Sequence, residues 1–172
     1  MLISSEMQAA INEQIGNELA ASNQYVAIAT YFDGEALPAL ARHFYKQATE
    51  ERDHALRFIR YLVDADAEVV IPAIPAPRPA FSSAEDAVGL SLESELRVTK
   101  QINEIMALAM RENDFMSRNM LEWFINEQRE EVSSMDTLLR MVKRAGQGGL
   151  LFVEQYLMQG GTVSEEGADD AD

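Results

Sequence analysis

The sequence predicts an all-α fold: a four-helix bundle with a long crossover between the second and third helices and a short fifth helix at the C-terminus. Three observations predict it. Four segments carry apolar stripes that step by threes and fours. Two junctions between them are tight turns, while the central one is long and proline-rich. Each stripe is interrupted near its middle by Glu or Gln, at positions that would share one depth in a bundle.

The first helix is expected over 5–32, opening at Ser4 or Ser5 with Ser5 and Gln8 in capping-box register. Its seam is Ile11, Ile15, Glu18, Ser22, Tyr25, Ala29 and Phe32, and Asp33-Gly34 is its turn signal. The second helix, over 37–64, has Pro38 in its first turn, where a missing N–H is harmless. Its seam runs Leu37, Ala41, Phe44, Ala48, Glu51, Ala55, Phe58, Leu62. The stretch from Asp64 to Phe81 holds Pro72, Pro75, Pro77 and Pro79, which favour extended backbone able to run the length of the bundle. The third helix, over 83–111, opens at Ser82 or Ser83 and has the seam Val88, Leu92, Glu95, Thr99, Ile102, Met106, Ala109. Asn113 or Asp114 breaks the chain before the fourth helix, over 114–145, with the seam Leu121, Phe124, Gln128, Glu131, Met135, Leu138, Val142. Gly146, Gly148 and Gly149 permit a change of direction into the apolar fifth helix over 149–159. Residues 1–160 thus form one domain, and 161–172 read as an acidic disordered tail.

The chain of 172 residues is 47% hydrophobic, enough for one well-buried core. Acids outnumber bases 29 to 14, for a net charge of −15, which opposes binding to nucleic-acid phosphates. The absence of cysteine excludes disulfides and thiolate metal sites. No secretion signal or membrane-length apolar run is visible, so a cytoplasmic protein without a membrane partner is expected.

The chemistry is carried by a pattern that occurs twice. Glu18 is followed 33 residues later by Glu51 and 3 after that by His54; Glu95, Gln128 and Glu131 repeat that spacing. At the same offset Glu50 matches Glu127 and Gln24 matches Gln101, as two related hairpins would. Burying four ionised carboxylates together costs several kcal/mol each, roughly, unless cations compensate. The seams offer no Lys or Arg, so two divalent metal ions are the compensation expected. Carboxylate-rich coordination with one imidazole suits iron or manganese. Di-iron bundles use one Glu from each of two helices and a Glu-x-x-His from each of the others; here Gln128-x-x-Glu131 replaces the second, so the two metal positions should be unequal.

The segments NELAASNQYVAIATYFD, FYKQATEERDHA and WFINEQREE resemble bacterial non-haem ferritins, especially the actinobacterial type. The resemblance spans about residues 4–160 and makes the bundle ferritin-like. It implies iron storage: a 24-subunit homo-oligomeric cage that oxidises Fe(II) with O2 at a ferroxidase site of two irons per subunit and keeps the ferric product inside. By position that site is Glu18, Glu51, His54, Glu95, Gln128 and Glu131, with Tyr25 beside it. Glu50, Glu127, Glu130 and Glu131 match the residues of a third iron site. Arg52 stands where haem-bearing relatives place a methionine ligand, so no haem is inferred. Arg118 and Leu121 stand where animal ferritins place pore acids, so the resemblance carries over no route of iron entry.

In the implied reaction each iron supplies one electron to O2, with Glu51 and His54 holding the pair and Tyr25 donating an electron or a hydrogen bond. Trp123 and His43 read as packing residues. A small non-cage di-iron oxidase or oxygenase acting on an organic substrate would share such a site, but it has no need of the apolar fifth helix. An inert structural bundle has no need of the buried acids.

Overall fold

A computed structural model describes residues 2–161. It comprises α1 (Ser5–Gly34), α2 (Pro38–Asp64), α3 (Ala84–Glu112) and α4 (Phe115–Met158), with no strand among the described residues. The expected acidic tail over 161–172 lies outside them, apart from Gly161. The apolar stripes find their partners: every seam position named for α2 and α4 is buried. In α1 and α3 the seam residues Ser22, Leu92, Thr99 and Met106 are half-buried and the others buried.

End-to-end contacts give the topology. The N-cap Ser4 of α1 donates to the carboxylate of Glu112 at the end of α3 (2.8 Å). Tyr61 near the end of α2 meets Ser117 at the start of α4 (2.6 Å). Each helix therefore lies antiparallel to both of its neighbours, and α2 and α3 run the same way. Only a connection that travels the full bundle length can join them. A helix of 27 residues spans about 40 Å, within reach of the intervening extended chain.

That crossover is strapped to α1 by a polar stripe stepping along the helix. Gln8 accepts from the Glu68 N–H (3.1 Å), Asn12 exchanges bonds with Glu68 and Val70 (2.9 and 2.8 Å), and Gln24 exchanges bonds with Arg78 (3.1 and 2.8 Å). Gly16 occupies the same stripe because Pro72 rests on it: a methyl group there would overlap the proline ring.

Local signals were shifted by this tertiary context. Ser4, not Ser5, caps α1, accepting from the Met7 N–H (3.0 Å), because Gln8 is committed to the crossover. The α1–α2 turn is not made at Gly34, which stays helical; the left-handed residue is Ala36 (φ 56°). Asn113 takes the left-handed C-cap of α3 and Asp114 caps α4, so both are used. The expected fifth helix is not separated by a loop. Gly146 (φ 60°, ψ 180°) kinks α4, and the helical chain continues to Met158. Beyond the kink, the buried Glu154 accepts from the N–H groups of Ala39 and Leu40 (2.8 and 2.7 Å). It supplies the cap that Leu37 cannot give α2. On the other side of the same segment Leu151, Phe152 and Met158 are exposed, which suits contact with another subunit.

Candidate metal centre

The apolar core is divided in two. One cluster surrounds Phe32, Phe44 and Met135; the other surrounds Ile11, Phe58 and Phe124. Between them lies the polar layer of Glu18, Glu51, His54, Glu95, Gln128 and Glu131, all buried. Ser22 pins α1 to α2 beside it, donating to the Ala48 carbonyl (2.6 Å).

The half built by α1 and α2 is undersatisfied. One ligating atom from each of Glu18, Glu51 and His54 falls within 4.8 Å of the other two; among the described residues it is the one such group of His, Asp and Glu. Gln14 donates to Glu18 Oε1 (2.8 Å). Glu18 Oε2, both Glu51 oxygens and His54 Nδ1 are buried without a hydrogen-bond partner, although His54 Nδ1 lies only 3.5 Å from Glu51 Oε2. Burial, then the neighbouring Glu51, pushes the Glu18 carboxyl well up; burial, then Glu95, does the same to Glu51. The His54 ring is held edge-on between Trp123 and Phe124 (5.5 and 5.9 Å between centroids), with the Arg57 guanidinium 3.9 Å above the Trp123 ring. Trp123 thus packs directly on a ligand candidate.

The half built by α3 and α4 is hydrogen-bonded. Tyr25 donates to Glu95 Oε1, and Gln128 donates to Glu95 Oε2 (3.1 Å) and Thr99 Oγ1 (3.2 Å). Burial still raises Glu95, against the pull of these two donors. Burial also raises the Tyr25 hydroxyl, followed by the Glu95 charge. Glu131 does not join the three-residue group. Burial, then Glu95 and Glu50, pushes its carboxyl up to about 9. So many carboxyls held against ionisation in one layer make a site that gains from divalent cations.

A family profile described as the ferritin-like domain matches residues 8–145. The chain belongs to the ferritin family. It is 42% identical to "Ferritin BfrB" of Mycolicibacterium smegmatis over 167 residues, covering 97% of this chain and 91% of that protein. It is 34% identical to a "Bacterial non-heme ferritin" of Staphylococcus epidermidis over 145 residues, covering 84% and 87%. Among solved structures it resembles an open pore ferritin from Archaeoglobus fulgidus at a TM-score of 0.87 and 31% identity, covering 90% of this chain and 96% of that one.

Within this ferritin fold Glu131 and three further acids fall together. Glu50, Glu127, Glu130 and Glu131 line one cavity of about 330 Å³. Glu50 accepts from the buried Gln47. Gln14 and Gln47 escaped the sequence reading. Gln14 stands one turn before Glu18, and that spacing was a usable signal. Gln47 lies off the seam and carried none. His43 is not in the ligand group; its ring stands edge-on to Phe44 (5.2 Å) and it lines the same cavity. Among the described residues no helix is long and apolar enough to cross a membrane.

Proposed function

We propose that this ferritin oxidises Fe(II) with O2 and retains the ferric product within a 24-subunit cage, acting in the cytoplasm. The observation that carries the reading is the cluster of buried carboxyl oxygens and one imidazole nitrogen without hydrogen-bond partners, contributed by α1 and α2 and faced by Glu95. Fe(II) is the substrate. One ion takes Glu18, Glu51 and His54; a second takes Glu95, with Glu51 between them and Gln128 and Glu131 as weaker donors.

Each ion gives one electron, and two protons complete reduction of O2 to the level of hydrogen peroxide. The carboxylates compensate the charge gained by iron. Tyr25 holds Glu95 by its hydrogen bond and stands ready as a one-electron donor. Glu50, Glu127, Glu130 and Glu131 take iron leaving the pair, as a third site. The exposed apolar face at Leu151 and Phe152 favours an assembled cage over a small oxidase.

An anaerobic Fe(II) titration followed by an oxygen pulse, with particle mass measured alongside, tests the reading. About two Fe(II) per subunit should oxidise rapidly in a particle of cage mass. A species of monomer or dimer mass, or oxidation no faster than in buffer, would overturn it.

A further inference from the structure

We propose that the cavity between α2 and the kinked end of α4 binds inorganic phosphate, seated on Arg42 and His43 opposite the acids that take iron. This rests on the iron reading only for its second half, the coupling of phosphate to metal.

The cavity, about 330 Å³, has one wall that carries all its basic side chains and another that carries most of its acids. One carries Arg42, His43 and Lys46 from α2, with Glu50 a turn beyond Lys46; the other carries Glu127, Glu130 and Glu131 from α4. Lys46 reaches Glu50 at 3.4 Å, leaning toward the acids. Among the described residues Arg42 makes no ion pair or hydrogen bond, although acids outnumber bases two to one in this chain. Beside it, His43 Nε2 is buried without a hydrogen-bond partner, while Phe44 fixes the ring. A forked guanidinium and an unpartnered ring nitrogen at one end of a cavity are donors for an oxyanion.

The opposite wall decides which oxyanion and when. The acids there repel an anion wherever they are ionised, so binding is weak until a cation occupies them. A ferric ion on Glu127, Glu130 and Glu131 reverses that sign. A tetrahedral oxyanion then turns two oxygens to Arg42 and His43 and the others to the metal. Phosphate has that shape and charge and binds ferric iron strongly. A carboxylate ligand lacks the oxygens to serve both walls. The cavity would therefore seat one phosphate between Arg42, His43 and a ferric ion on the facing acids.

The test is equilibrium dialysis of inorganic phosphate against the assembled protein, iron-free and loaded with three Fe(III) per subunit. Saturable binding near one per subunit is expected, at least about tenfold tighter with iron. Arg42→Gln should weaken both by about tenfold or more. Arg97→Gln, an equal charge change on exposed α3 surface, should leave them within about twofold. Equal binding by wild type and Arg42→Gln would overturn the proposal, as would an equal loss in Arg97→Gln. Glycerol 2-phosphate should be excluded; equal affinity for it would overturn the assignment to free phosphate. Fe(II) oxidation in phosphate-free buffer should be the same in wild type and Arg42→Gln. If wild type oxidised no iron there, the storage reading would fall, and the iron-free dialysis would still decide the anion site.

Discussion

The two hairpins repeat one spacing of polar residues, yet they present those residues in opposite states. On α1 and α2, Glu18, Glu51 and His54 converge with four atoms left without hydrogen-bond partners. On α3 and α4, Glu95 has both oxygens occupied by Tyr25 and Gln128. A duplicated pattern has thus diverged into a half that is poised for a cation and a half that is stable without one. On the two-iron reading proposed above, the positions should be unlike: the first should fill at lower iron concentration, and the second only as the Gln128 bond is exchanged for metal.

The sharpest way to break this comparison is the pair Glu51→Gln and Glu95→Gln. Glu51→Gln removes the carboxylate proposed to serve both positions, and oxidation should fall roughly 100-fold or more. The same change removes a buried acid with no donor, so the thermal midpoint of the iron-free protein should rise. Glu95→Gln should also slow oxidation, but the iron-free midpoint should fall, because the acceptor for Tyr25 and Gln128 is weakened. Calorimetry and stopped-flow absorbance on the same preparations measure both. A midpoint that falls for both variants would mean that the two halves do not differ.

Stability against pH sharpens the contrast next. The Glu131 carboxyl is raised from 4.5 to about 9 in the folded protein. A raised carboxyl binds its proton more tightly when folded, so its contribution is fully present below 4.5 and is lost as pH rises through about 9. At pH 7 the loss is about 3 kcal/mol at most. Glu18 and Glu51 act in the same direction. Iron-free protein should therefore unfold progressively more easily from pH 5 to 9, and loading with a divalent metal should flatten that slope. Glu131→Gln should flatten it in part without metal. A flat iron-free profile would remove the electrostatic argument for the site.

Much of this was legible because a bundle seam is a local, periodic signal. Glu51, Gln128 and the apolar residues around them are placed by steps of three and four alone, and the depth of the polar layer follows. What escaped depends on contacts between distant elements. Glu154 reads as one more acid in a greasy segment until the kink at Gly146 brings it to the start of α2. Gln8 reads as a capping partner until the crossover claims it. Gly34 reads as the turn, yet Ala36 takes the left-handed conformation because the helix overruns by a few residues. The shared buried layer of Glu18, Glu51, His54, Glu95, Gln128 and Glu131 was legible, but their sorting into an orphaned trio and a bonded half was not: sequence spacing gives the face, not the rotamer.

The smallest effects come from residues that only orient the ligands. Gln14 donates to Glu18 Oε1 and itself accepts from Asn17 (3.1 Å), so Glu18 is aimed by a short relay that leaves Oε2 for a cation. Tyr25 plays the corresponding part for Glu95. Losing such a partner costs about tenfold in metal affinity, near the lower end for residues that support a ligand. If the two halves fill in order, the losses should separate. Gln14→Leu should weaken the first Fe(II) to bind in an anaerobic titration and leave the second nearly unchanged, while Tyr25→Phe should do the reverse. Tyr25→Phe would also remove any tyrosyl radical signal after the oxygen pulse, which Gln14→Leu would keep. Should both variants weaken the same binding step, the two irons would be filling a single shared site, and the inequality inferred from the bonded and unbonded halves would be wrong.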